Sequence, residues 1–116
     1  MMKMWIDDIR PAPEGYRWIK TVNEAKVYFM GMARFEKYYD KNYQLCCNKK
    51  FNVEIIDIDH DAGDCGEDYI EFLKWLEVNS HVNGWVIPPI HIHSQNAVGV
   101  QNMRAIIRHN GWTEIK

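Results

Sequence analysis

The sequence predicts an α/β fold, a mostly parallel sheet of about five strands layered with helices. Three observations predict it. Apolar runs rich in Val and Ile (Met4-Trp5-Ile6, Val53-Glu54-Ile55-Ile56 and Pro89-Ile90-His91-Ile92) alternate with longer stretches of helical spacing. Each run ends abruptly in polar residues, at Asp7-Asp8, Asp57-Ile58-Asp59-His60-Asp61 and His93-Ser94-Gln95-Asn96. The length of 116 residues with 47% hydrophobic content suffices for one unstapled core, so a single domain over 1–116 is expected.

The first strand is expected from Lys3 to about Asp7, where Pro11, Pro13 and Gly15 force a loop. A second strand, Tyr16 to Lys20, leads into Thr21-Val22-Asn23-Glu24, a capping box of the Thr-x-x-Glu type. The helix behind it carries Ala25, Phe29, Met32 and Phe35 or Glu36 at helical spacing and is expected to reach about Tyr39. Asp40 to Asn52 reads as a polar surface connection. Val53 to Asp59 is a strand, and Gly63 and Gly66 break the chain after it. From Glu67 to about Val78 a helix places Tyr69, Phe72, Leu73 and Leu76 on one stripe. Ile90 to His93 is the third strong strand, Asn96 caps a helix from Ala97 to about His109, and Asn110-Gly111 stops it before an edge strand in Trp112 to Lys116. Strands alternating with helices imply right-handed crossovers, and the economical reading is a three-layer, flavodoxin-like sandwich whose first helix is reduced to a loop.

A net charge of −2 offers no general attraction to duplex nucleic acid or to anionic membranes. Tyr16-Arg17-Trp18-Ile19-Lys20 is the one basic-aromatic stretch, and it reads as an edge strand with snorkelling side chains. The three cysteines, Cys46, Cys47 and Cys65, are odd in number and lack Cys-x-x-Cys spacing, so no disulfide framework or zinc ribbon is indicated. A reducing, cytoplasmic setting is expected. Charged residues from Asp7 onward argue against a signal peptide, and no apolar run approaches the ~20 residues of a membrane span.

If the three runs are parallel strands, their polar ends share the carboxyl edge, where open α/β sheets bind ligands. Five carboxylates converging there repel one another unless a cation or a shared proton relieves them. A metal-dependent phosphate site is therefore the leading idea, built on Asp7, Asp8, Asp59, Asp61 and Arg10. Oxygen-only ligands suit Mg²⁺, Mn²⁺ or Ca²⁺ rather than zinc. His60 and His93, beside these carboxylates, fit either general acid–base work or metal ligation, and spacing does not decide between them. Asp57 sits inside an apolar strand, and His91 on the next strand is its expected structural partner. Ser94 and Asn96 open a helix, where a hydroxyl, an amide and unpaired N–H groups suit either a phosphoryl group or simple capping.

Together these segments resemble the receiver domains of two-component signalling, and more closely a divergent branch, the cyclic-phosphate processing receiver-like family. Asp7-Asp8-Ile9-Arg10-Pro11-Ala12-Pro13 reads as that family's Asp-Asp-x-Arg-x-x-Pro, and Ile58-Asp59-His60-Asp61-Ala62-Gly63 as its Leu-Asp-His-Asp-Leu-Gly. His93-Ser94-Gln95-Asn96-Ala97-Val98-Gly99-Val100-Gln101-Asn102-Met103 follows its third motif, with Ala97 in place of a Pro. By this resemblance Asp7 and Asp8 look like an acidic metal-binding pair. Asp59 looks like the residue that a signalling receiver phosphorylates, and Ser94 like the hydroxyl that touches the phosphoryl group. Ordinary receivers continue with a Lys and a relay helix where this sequence stops at Lys116, which turns the expectation away from phosphorelay.

The resemblance implies a metal-dependent phosphoesterase that processes a cyclic phosphate, either a cyclic nucleotide or a cyclic phosphate end. In that reading Asp7, Asp8 and Asp59 hold Mg²⁺ or Mn²⁺. Arg10, Ser94 and Asn96 bind the phosphate, and His60, Asp61 and His93 supply acid–base chemistry. The alternative is a non-catalytic regulatory or nucleotide-sensing module, phosphorylated on Asp59 or holding a cyclic nucleotide.

Overall fold

The computed structural model describes all 116 residues. Strands β1 (Met2–Ile6), β2 (Tyr16–Ile19), β5 (Val53–Ile58), β6 (Ile90–Ile92) and β7 (Glu114–Ile115) form one parallel sheet in the order β2-β1-β5-β6-β7. Helices α1 (Val22–Gly31), α2 (Ile70–Asn83) and α3 (Ala97–His109) make the crossovers. The result is the receiver-like α/β fold expected, with Asp8 to Gly15 a loop where a first helix would stand. No helix is long and apolar enough to cross a membrane.

The missing helix has a topological consequence. The crossovers β2-α1-β5, β5-α2-β6 and β6-α3-β7 all advance in the same direction across the sheet. Right-handed connections therefore put all three helices on one face. That face carries the core: Met4, Ile6, Ile19, Ile56, Ile58 and Ile90 point into it fully buried, against Phe29, Tyr69, Phe72, Leu73, Leu76 and Met103 from the helices. On the alternate positions, Trp18, Trp5, Asp57 and His91 line up across four strands on the other face. That face is covered only near its carboxyl edge, where the Trp5 and Trp18 indoles donate to the backbone carbonyls of Arg10 and Asp7 (both 2.8 Å).

The expected Thr21 cap forms, Thr21 Oγ1 accepting from the Glu24 N–H at 3.0 Å, while Glu24 Oε2 reaches one residue past the cap to the N–H of Lys20 at 3.1 Å. The helix it starts is shorter than expected. α1 stops at Gly31, and the expected last turns and polar connection are instead an antiparallel hairpin, β3 (Ala33–Tyr39) and β4 (Leu45–Phe51). The Met32–Phe35 spacing suits a helical stripe while the aromatic residues Phe35, Tyr38 and Tyr39 suit a strand, so local sequence does not separate the two. Partners decide. Glu36 pairs with Arg34 on its own strand (3.1 Å) and with Lys50 across the hairpin (2.7 Å), while Phe51 is buried and stacks on Phe29 with ring centroids 3.9 Å apart. The tip is an Asp40 turn, whose carboxylate accepts from the N–H groups of Asn42 and Gln44. The hairpin precedes β5 in the chain and so projects from the amino edge of the sheet, opposite the acidic ends.

Candidate functional site

Three residues extend the strand ladders by one step at the carboxyl edge. The N–H of Asp7 donates to the carbonyl of Ile19 (3.1 Å), that of Asp59 to Ile6 (2.9 Å), and that of His93 to Ile58 (3.0 Å). Sheet hydrogen bonding thus aligns the three motifs side by side. Asp7, Asp8 and Asp59 each bring a carboxylate oxygen within 4.8 Å of the other two. Asp7 is buried and its Oδ1 accepts from the N–H groups of Ile9 and Arg10, both at 2.9 Å. Burial pushes the Asp7 carboxyl up, but these two N–H groups and His93 outweigh it and hold the group ionised below its ordinary range. Asp59 Oδ1 accepts from the N–H of His60 at 2.7 Å. Asp8 meets Gly63, where φ is +54° and a Cβ would fall 2.5 Å from Asp8 Oδ2. Only glycine leaves that carboxylate its place.

Three carboxylates in mutual reach, one of them buried, form an oxygen-only donor set. That set fits a hard divalent cation such as Mg²⁺ or Mn²⁺.

The five carboxylates do not gather in one cluster, however, although Asp57 and Asp59 have the same strand parity. Asp57 lies on the opposite side of β5 from Ile58, and its Oδ1 is 2.9 Å from His91 Nδ1 and 2.5 Å from His93 Nδ1. The expected Asp57–His91 pair is present, with His93 added. The other ring nitrogen of His93, Nε2, is 2.9 Å from Asp7 Oδ2. The indole of Trp5 stacks on the same ring at 3.8 Å between centroids and 4° between planes. The His93 ring thus faces a carboxylate oxygen with each of its two nitrogens. It is a buried bridge between Asp7 and Asp57, with neither nitrogen left for a substrate.

Asp61 and His60 make a third group. His60 Nδ1 lies 2.8 Å from Asp61 Oδ1, so Nδ1 carries the proton and Nε2 is left unpaired. The His60 hydrogen bond, against a small opposing effect of burial and with help from Asn96, holds the Asp61 carboxyl below its ordinary range. Asn96 does two things at once. Its Oδ1 caps α3 by accepting from the N–H of Gly99 (2.9 Å), and its Nδ2 donates to Asp61 Oδ1 (3.1 Å). The His60 ring then lies directly on Gly99, where a Cβ would come within 2.4 Å of the ring.

Arg10 Nη1 donates to the carbonyl of His93 at 2.9 Å, which ties the first motif to the third. Ser94 Oγ accepts from the N–H of Asn96 at 3.2 Å and keeps its own proton for another acceptor. Asn102 is exposed.

Sequence reasoning overlooked Trp5, Gly63 and Gly99 as parts of the site. The two glycines lie inside the motifs, where the available signal was a small residue required beside a large polar one. Trp5 had no local signal, since its neighbour His93 is 88 positions away and meets it only through strand register.

The family model described as a cyclic-phosphate processing Receiver domain matches residues 2–109. Searches of the curated proteins and of the solved structures gave no match.

Proposed function

The chain belongs to the family of cyclic-phosphate processing Receiver domains, and we propose that it opens a cyclic phosphate at its carboxyl edge with a divalent cation held by Asp7, Asp8 and Asp59. The observation that carries this reading is the His60–Asp61 pair, 2.8 Å apart and clamped by Asn96, with one ring nitrogen unpaired at the same sheet edge as the acidic trio. The pair has the base-and-orienting-carboxylate form of a proton-transfer group.

A cation bound to the trio would neutralise phosphoryl charge and acidify a water. The chain's own residues do the rest. Arg10, fixed through one nitrogen by the His93 carbonyl, turns its remaining donors to the phosphate oxygens. Ser94 donates its hydroxyl to the same group. As a water oxygen bonds to phosphorus, the bond from phosphorus to one ring ester oxygen breaks. His60 Nε2, free of a proton in the tautomer that Asp61 holds, takes the proton lost by the water and then hands it to that departing oxygen. Asp61, ionised, keeps His60 in the tautomer and orientation for this, and Asn96 keeps Asp61 in place, so Asn96 acts on the dyad more than on the phosphate. His93 positions Asp7 from behind and shuttles no proton.

The test is a screen of 2′,3′- and 3′,5′-cyclic nucleotides and cyclic phosphate RNA ends with Mg²⁺ and Mn²⁺. For a substrate that turns over, His60→Gln should lower kcat by roughly 10²–10⁴-fold. Ser94→Ala should lower kcat and kcat/KM together. Full turnover by His60→Gln would remove the dyad from the mechanism. Asp59 stands half-buried at the strand end, which keeps the regulatory reading testable. A labile phosphoryl adduct by intact mass after treatment with acetyl phosphate, lost in Asp59→Asn, together with no turnover in the screen, would move the protein to that class.

A further inference from the structure

The face of the sheet that no helix covers carries a second set of donor atoms. His91 in β6 and His93 just after it are two apart and share that face, and the ladder sets His91 beside Asp57 of β5. Both imidazole Nδ1 atoms therefore approach one oxygen, Asp57 Oδ1, at 2.9 and 2.5 Å. One ligand atom from each of the three residues lies within 4.8 Å of the other two.

Three features point to a metal rather than to a hydrogen-bonded cluster alone. The Asp57 side chain is only 9% exposed, and its ion-pair partners are the two imidazoles, with no Lys or Arg among them. A buried carboxylate without a fixed cation is a place short of positive charge. The outer nitrogen of His93, Nε2, lies 2.9 Å from Asp7 Oδ2, and Trp5 stacks on the ring. A metal-bound imidazole is fixed in just this way, one nitrogen on the metal and the other on a carboxylate. Access is open as well, because the His91 side chain is 35% exposed on the bare face.

We infer that Asp57, His91 and His93 bind a zinc ion through Asp57 Oδ1 and the two Nδ1 atoms. Two imidazoles and one carboxylate suit Zn²⁺, whereas the oxygen-only trio of Asp7, Asp8 and Asp59 suits Mg²⁺, so the two sites separate by metal. Tetrahedral bonds of ~2.0–2.1 Å set ligand atoms about 3.3 Å apart, so the 2.9 and 2.5 Å contacts need open by less than about 1 Å to admit the ion. Protons held on the two Nδ1 atoms leave as the metal enters. Three protein ligands leave a fourth position for water on the bare face. The bound ion fixes the His93 ring and, through Nε2, the Asp7 carboxylate.

The probes are Zn²⁺ and Co²⁺ alone, added to the whole chain without substrate. Zn²⁺ titrated against a chromophoric chelator should fill one site and raise the melting temperature. His91→Ala should weaken that site at least about 100-fold, since outer-shell partners alone contribute roughly 10–100-fold. Asp57→Asn removes a second ligand at constant shape and should weaken it likewise; melting of both metal-free variants checks that the fold is kept. Co²⁺ should give the visible absorption of a four-coordinate site with no thiolate charge-transfer band, which separates it from Cys46, Cys47 and Cys65. Asp8→Asn and His60→Gln, which alter the other two donor groups, should leave zinc affinity unchanged. The inference is overturned by absence of saturable Zn²⁺ binding, by parent-like affinity in either His91→Ala or Asp57→Asn, by a thiolate band, or by loss of the site in Asp8→Asn or His60→Gln. Every readout is metal affinity without turnover, so failure here leaves the proposed activity intact and the reverse also holds.

Discussion

Gly99→Ala is a substitution that helix propensity and the site push in opposite directions. Gly99 lies in the first turn of α3, and Ala there is favoured over Gly by about 1 kcal/mol on propensity alone. The new Cβ, however, would stand 2.4 Å from Cγ, 2.6 Å from Cδ2 and 2.8 Å from Nδ1 of His60. Those atoms include the root of the ring, and Nδ1 is held by Asp61, so the whole imidazole must move off its partner. Overpacking of this kind costs ~1–3 kcal/mol. The net change is a loss of up to about 2 kcal/mol, or a fall of up to about 8 °C in melting temperature for a chain of this size. In a His60→Ala background the obstacle is gone, and the same substitution should stabilise by about 0.5–1 kcal/mol. The sign of the effect reverses. Urea unfolding of the parent, both single variants and the double variant measures the coupling, expected near 2 kcal/mol. Equal stabilisation by Gly99→Ala in both backgrounds would show that His60 does not rest on this helix, and the clamped dyad would go with it.

Mg²⁺ or Mn²⁺ at millimolar concentration should raise the melting temperature by mass action, and Asp8→Asn should abolish the rise; an unchanged curve for the parent would dismiss the metal site. Gly63→Ala meets both a positive φ and the Asp8 carboxylate, so it should destabilise by roughly 1–2 kcal/mol and blunt the metal response. Tyr69 is fully buried and donates to the carbonyl of Lys20 at 2.7 Å. Burial first, then the charges of Asp8, Cys65, Asp7 and Asp59, push its phenol above the ordinary 10.0. A raised folded value gives stability that is complete below pH 10 and drains away as pH climbs toward that value. Tyr69→Phe should therefore cost about 1 kcal/mol at neutral pH and flatten the alkaline decline, and an identical decline in the variant would refute the assignment. Cys46, Cys47 and Cys65 are free in the structure, so thiol counting on unreduced, denatured protein should find three.

Much of this arrangement was legible in the chain. The parallel sheet followed from apolar runs alternating with helical stripes, the α3 boundaries from Asn96 and Asn110-Gly111, and the convergence of Asp7, Asp59 and His93 from the position of polar residues at strand ends. These are local signals, because a cap, a turn or a strand terminus is defined by a few consecutive residues. The end of α1 was not legible. Phe35 continues the helical spacing of Ala25, Phe29 and Met32, and the partners that select the strand, Lys50 and Phe51, come 15 and 16 residues later.

The sequence by itself determined which residue types reach the carboxyl edge and in what order the elements carry them there. Tertiary structure alone decided how those residues divide. Asp59 and Asp57 are two positions apart, yet one joins Asp7 and Asp8 while the other turns to His91 and His93. The surroundings of the two histidines likewise differ only in space: His93 is closed between two carboxylates and under Trp5, whereas His60 rests on Gly99 with Nδ1 against Asp61 and Nε2 unpaired. The reason is physical. Hydrogen-bond capacity is used up by whichever partner arrives first, and the partners here come from strands and helices far apart in the chain, brought into register by the sheet.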